Sequence, residues 1–138
     1  MTDFPITIYH NPDCGTSRNA LAMIEAAGYR PHVVEYLKAG WTRDLLDRLL
    51  AAMAARPRDI VRDKGSPAAE LGLLDPAVSD DAILVAMIEH PILVNRPIVV
   101  TPRGTALCRP SEEVLKLLDR LPTGFVKEDG EVVPVPGR

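Results

Sequence analysis

Ile6-Thr7-Ile8-Tyr9-His10-Asn11-Pro12-Asp13-Cys14-Gly15-Thr16-Ser17-Arg18-Asn19 is the stretch on which the reading of this chain turns. A short β-rich run leads into a Pro-containing turn, and the turn delivers one cysteine to the start of a helix. Ser17 is an N-cap type of residue, and Ala20, Leu21, Ile24 and Ala27 follow at helical spacing. Cys14 is therefore expected beside backbone N–H groups of Gly15, Thr16, Ser17 and Arg18 that have no intrahelical partner. Such groups, together with the helix dipole, stabilise either a thiolate or a bound oxyanion. A free thiol titrates near about 8.5, and a helix N-terminus lowers that value. A lone cysteine is more often a small buried hydrophobe. Here, however, polar His10, Asn11, Thr16, Ser17 and Arg18 surround it, which is not the composition of a core.

Working outward, the chain has 138 residues, which suits a single domain spanning 1–138 with a substantial core. Apolar residues make up 46% and charged residues 25%, as in soluble globular proteins. The net charge of −3 gives no basic footprint for nucleic acid, although Arg far outnumbers Lys and a local guanidinium site is compatible with it. No run reaches membrane-spanning length, and no leader pattern precedes the first strand. Cys14 and Cys108 are the only cysteines and do not make a secreted disulfide scaffold, so a cytoplasmic location is expected.

After a lead at 1–5, residues 6–10 are expected to form the first strand, and the helix after Cys14 to end near Gly28. Residues 33–37 read as a second strand, parallel to the first after the crossover. Thr42 opens a helix with Leu45, Leu46, Leu49, Leu50 and Met53 on one face. Short helices at 58–61 and 68–71 follow, and Ser79-Asp80-Asp81 caps another with Ile83, Met87 and Ile88 inward. Residues 92–101 read as a strand, 105–108 as its hairpin partner, and 110–121 as a last helix. The tail from Thr123 reads as irregular. The order is β-α-β, a helical insertion at about 38–90 between the second and third strands, then β-β-α. This is an α/β fold of the thioredoxin/glutaredoxin type.

Arg96 enters an apolar strand, where an unpartnered guanidinium is costly and implies an anion nearby. In this layout Arg96–Pro97 is expected to be cis and Arg96 to reach Cys14. Arg109 and Arg62 are further guanidinium candidates, and His10 is placed to tune the thiol. A phosphatase-type loop would need Arg at Ala20, and a dithiol reductase would need Cys at Ser17. Neither is present, so the second thiol must come from outside, most simply from glutathione. His10, His32 and His90 lack metal-ligand spacing with the cysteines, so no metal is expected.

The stretch 6–19 resembles the start of the glutaredoxin-coupled arsenate reductases of the ArsC family. So do His90-Pro91-Ile92-Leu93-Val94-Asn95-Arg96-Pro97-Ile98-Val99-Val100-Thr101-Pro102, Leu107-Cys108-Arg109-Pro110-Ser111-Glu112 and Lys127-Glu128-Asp129-Gly130-Glu131. The resemblance implies that Cys14 is the nucleophile, that His10 and Ser17 tune it, and that Arg62, Arg96 and Arg109 bind the anion beside Gly15 and Thr16. It implies a monomeric reductase of arsenate with glutathione as co-substrate, glutaredoxin as partner and no bound cofactor. It leaves Cys108 outside the reaction. Two rivals share the fold: a glutathione-dependent thiol reductase, which the intact arginine trio argues against, and a non-enzymatic regulator binding RNA polymerase, which the absent thiol at Ser17 and the absent basic patch argue against.

Overall fold

In the computed structural model, which describes residues 4–136, β1 (Thr7–His10) leads through the Cys14 turn into α1 (Gly15–Ala26) and on to β2 (His32–Glu35). There follow α2 (Tyr36–Ala39), α3 (Arg43–Met53), α4 (Asp80–Glu89), β3 (Ile98–Thr101), β4 (Gly104–Leu107), β5 (Phe125–Val126) and β6 (Val132–Val133). Three 3-10 segments lie at Pro57–Ile60, Pro91–Leu93 and Ser111–Leu117. The first three positions of the expected lead lie outside the described residues. The chain divides into two compact units, Met1–Glu35 with Arg96–Arg138, and Tyr36–Asn95. Among the described residues no helix is long and apolar enough to cross a membrane.

The first unit carries a four-stranded sheet in the order β2-β1-β3-β4. β1 runs parallel to β2, as a strand returning from a crossover helix must, and antiparallel to β3, which pairs with β4 as a hairpin. The α/β layout is thus the thioredoxin/glutaredoxin one. Ile8 and Val99 from the sheet, with Ile6 just before β1, pack with Met23 and Ile24 of α1, with Val114 of the last 3-10 segment and with Leu118 just after it. Burying these apolar side chains is the main stabilising contribution of this unit.

The structure corrects several element boundaries. Tyr36-Leu37 do not extend β2; they begin α2. The third strand is only Ile98–Thr101, because Pro91–Leu93 winds as a 3-10 turn and Pro97 has no N–H for a ladder. The last helix is 3-10 over Ser111–Leu117, not α. Its Leu117 carbonyl accepts the Thr101 hydroxyl at 2.7 Å, so β3 takes an acceptor that an α-turn would use. The tail is not irregular: β5 and β6 pair antiparallel about Asp129-Gly130, and Val133 is buried.

Gly28, at φ +95°, ends α1 where a side chain would be strained. No basic residue occupies the last turn of α1; Arg120 arrives from the far end of the unit instead. Its guanidinium donates to the Ala27 and Gly28 carbonyls at 3.1 and 3.0 Å and lies 4.6 Å over the Tyr29 ring. Arg120→Ala is expected to cost about 1 to 2 kcal/mol of stability. Urea unfolding measures that loss, and turnover should be unaffected.

In the second unit, the Thr42 and Ser79 hydroxyls cap α3 and α4 by accepting the Leu45 and Ala82 N–H groups. Leu46, Leu49 and Leu50 of α3 are buried, as are Ile83, Leu84 and Met87 of α4; Ile88 faces outward, with Leu84 in its place. Residues 68–71 form turns, not a helix, since Gly65 and Gly72 at positive φ bracket them. Val61 bridges Val94, and the Tyr36 hydroxyl donates to the Val94 carbonyl at 3.3 Å.

Candidate active site

Asn11 builds the turn that presents the cysteine. Its carbonyl accepts the Cys14 N–H at 3.0 Å, and its side-chain oxygen accepts the Asp13 N–H at 2.9 Å, closing an Asx turn inside a β-turn. Cys14 itself, in extended conformation, is the N-cap of α1; Ser17 is not. The Cys14 carbonyl accepts the Arg18 N–H at 2.9 Å, so Arg18 has no free backbone donor to offer the thiol, contrary to expectation. The open donors are those of the first three helical residues, Gly15, Thr16 and Ser17.

Burial alone would push the Cys14 thiol up. The Ser17 N–H and the guanidiniums of Arg96 and Arg109 outweigh it and hold the thiol below its ordinary value. Arg109 Nη1 stands 3.8 Å from Sγ and also donates to the Arg96 carbonyl at 2.9 Å, which fixes the fork beside the sulfur. Arg96 is buried, its side chain hydrogen-bonds the thiol, and the Arg96–Pro97 bond is cis, as expected. The Arg109–Pro110 bond is also cis, which the sequence did not signal. A thiolate flanked by two guanidiniums is an activated nucleophile next to a seat for a tetrahedral oxyanion.

His10 does not bond the cysteine. Its Nδ1 lies 2.6 Å from the Ser17 hydroxyl oxygen, which also accepts the Asn11 N–H at 3.1 Å. Burial keeps the His10 pKa below its ordinary value, Glu35 opposing that and Arg18 reinforcing it, so the neutral ring is favoured. His10 thus acts on the residue whose own backbone N–H faces the thiol. Ser17→Ala removes this junction and leaves the Asn11 N–H buried without an acceptor, at an expected cost of about 1 to 3 kcal/mol. Thermal unfolding measures the cost, and the Cys14 alkylation profile shows whether the thiol shifts.

Arg62 belongs to the second unit, where its N–H donates to the Leu93 carbonyl at 2.7 Å. Of the site residues expected from sequence, the first unit brings together Cys14, Arg96, Arg109, Ser17 and His10, with Gly15 and Thr16 on the same helical turn. Both cysteines are free. Burial, helped by Glu113, pushes the Cys108 thiol up to about 12, so it stays protonated where Cys14 ionises.

The sequence reading missed the strap over the start of α1. Arg18 donates to the Pro12 carbonyl at 2.7 Å and grips both Glu128 oxygens at 3.0 and 2.7 Å, while the Asn19 side chain accepts the Glu128 N–H. A side chain on Gly15 would press on Glu128, whose Oε1 lies 3.0 Å from where a Cβ would be. The signal was present: Asp129-Gly130 between two short apolar pairs is a hairpin pattern.

The sequence model of the ArsC family matches residues 9–117. Arsenate reductase ArsI1 of Synechocystis is 62% identical over 134 residues, covering 96% of this chain and 93% of that protein. The arsenate reductase of Escherichia coli K12 is 53% identical over 129 residues, covering 93% and 92%. Among solved structures, an arsenate reductase from Vibrio cholerae superposes with a TM-score of 0.79 at 40% identity, covering 85% of this chain and 100% of that one. An ArsC-related protein from Bacteroides fragilis, at 17% identity and a TM-score of 0.69, shares the fold. With the match running through the cysteine turn, the Arg96 strand and the Arg109 junction, this chain belongs to the ArsC family.

Proposed function

We propose that this protein is a cytoplasmic, monomeric arsenate reductase in which Cys14 is the nucleophile and glutathione and glutaredoxin supply the electrons. The observation that carries the reading is a Cys14 thiol held low by the Ser17 N–H and by two arginines suited to an oxyanion. Identity above one half to proteins named arsenate reductases points to the same substrate.

Arsenate is held by Arg96 and Arg109 and by the open N–H groups of Gly15 and Thr16; the resemblance adds Arg62. The Cys14 thiolate attacks arsenic, a sulfur–arsenic bond forms, and one arsenic–oxygen bond breaks with the oxygen leaving as water. Glutathione thiolate then attacks the Cys14 sulfur. A disulfide forms, the sulfur–arsenic bond breaks, and its electron pair stays on arsenic, which falls from As(V) to As(III). The sum is arsenate plus two thiols to arsenite, a mixed disulfide and water. Glutaredoxin then clears Cys14. His10 and Ser17 keep the thiol-facing turn in place, and the guanidiniums stabilise oxygen charge throughout. No metal or bound cofactor enters the scheme.

The test is NADPH consumption in an assay coupling arsenate, glutathione, glutaredoxin and glutathione reductase. Arsenate-dependent oxidation supports the reading. Its absence with folded, reduced protein, alongside turnover of a glutathione mixed disulfide, would move the assignment to a thiol reductase of the same fold.

A further inference from the structure

A cavity of about 280 Å³ opens beside the cysteine turn, wholly within the first unit. Its walls include Gly15 and Thr16, next in the chain to Cys14, and Pro110, next to the Arg109 that stands 3.8 Å from Sγ. The opposite wall is the β5–β6 turn, contributing Lys127, Glu128 and Asp129, with Asn19 and Ser111 between. The volume is near the lower end of small-molecule sites, which begin at roughly 300 Å³. It has room for one amino-acid-sized head.

The wall is built firmly. Glu128 is committed to Arg18 and to the Asn19 side-chain oxygen, and Lys127 is held by Glu112 at 2.9 Å and Glu131 at 3.4 Å. These contacts leave particular groups for a ligand. Lys127 has three donors and two carboxylate neighbours. The Asn19 oxygen is occupied by the Glu128 N–H, so its NH₂ remains to donate. Asp129 accepts the Glu131 N–H at 2.9 Å within the turn and keeps a carboxylate charge toward solvent. A donor pair for a carboxylate beside an acid for an ammonium is a receptor for a zwitterionic α-amino-acid head.

We infer that this cavity seats the γ-glutamyl head of the thiol co-substrate, its carboxylate on Lys127 and Asn19 and its ammonium on Asp129. The inference rests on the reductase reading for its choice of thiol. In glutathione that head lies about two residue lengths from the sulfur, roughly 7 Å when extended. A head anchored one wall away therefore leaves the thiol free to meet Cys14. The glycyl end, which carries a carboxylate alone, matches the cavity less well.

The experiment is titration of the whole protein with S-methylglutathione, which binds without reacting, followed by NMR amide shifts. Binding is expected to move the amides of Asn19 and of residues 127–129. Asp129→Asn keeps the turn acceptor but removes the charge, and it should weaken binding about tenfold; Asn19→Ala should weaken it severalfold. In turnover the same variants should raise the KM for glutathione with kcat and the arsenate KM unchanged, and rates with uncharged 2-mercaptoethanol should match the unaltered protein. S-Methylglutathione binding unchanged by both substitutions, or shifts confined elsewhere, would overturn the seat. So would equal losses with 2-mercaptoethanol. Because the titration needs no arsenate, it decides the seat even if arsenate-dependent turnover is absent, and that absence would count against the reductase reading alone.

Discussion

Cys14→Ser is expected to abolish arsenate-dependent NADPH oxidation, a loss of at least about 10³-fold, while leaving the fold intact. The oxygen is nearly isosteric, and the site's backbone donors and guanidiniums remain, so an oxyanion should still bind. What disappears is a group whose pKa is held below the ordinary thiol value and that can leave as a thiolate in a disulfide. In the unaltered protein the Ser17 N–H, Arg96 and Arg109 favour the charged form over the effect of burial. The thiolate therefore persists to lower pH than in a free cysteine. Alkylation by iodoacetamide should rise with pH about a midpoint below that of an ordinary thiol, with Cys108 silent because burial holds it protonated to about 12. Residual arsenate reduction by Cys14→Ser would mean that another sulfur does the work, and would overturn the assignment.

The second large effect is expected from Arg96→Ala, a fall in kcat/KM for arsenate of about 10² to 10³-fold. Arg96 donates to the thiol, and its carbonyl also holds Arg109 in place. The substitution therefore removes one positive charge outright and preserves the other through the backbone. Two readouts separate this from mere loss of packing. The alkylation profile should move to higher pH, because losing a cation beside a thiolate raises its pKa. Arg96→Lys should recover part of the shift but little of the turnover, since an ammonium lacks the planar fork that grips two oxygens at once. Arg109→Ala should shift the profile in the same direction. Arg62→Ala, measured alongside, tests the third arginine assigned by resemblance; an unchanged arsenate KM would remove it from the set.

Much of the fold was legible because its signals are local. The β-rich run before Asn11-Pro12-Asp13, the Thr42 and Ser79 caps, Gly28 after the first helix and the hairpin of residues 98–107 are all decided within a few residues. The misreadings arose where a distant partner overrode local preference. Tyr36 is β-prone by type but starts α2, and its hydroxyl donates to Val94, 58 residues on. The segment after Pro110 has the apolar spacing of an α-helix but winds as 3-10, with its last carbonyl taken by Thr101. Ser17 has the chemistry of a cap but points inward to His10, because the turn had already placed Cys14 at the cap position.

By itself the sequence determined the strand–turn–helix that exposes one thiol, the absence of a partner thiol at Ser17, and the guanidinium chemistry available to it. The tertiary structure alone decided which of those groups meet. Arg109 approaches Cys14 from 95 residues away, and the tail strap returns to Arg18 across 110. Backbone preference acts over one or two turns, whereas such encounters depend on how the whole sheet is paired and on what the core leaves room for. Nothing in the residues near Glu128 indicates that Gly15, without a side chain, leaves space for its carboxylate. The chemistry was written locally, and the assembly of the site was a property of the packed chain.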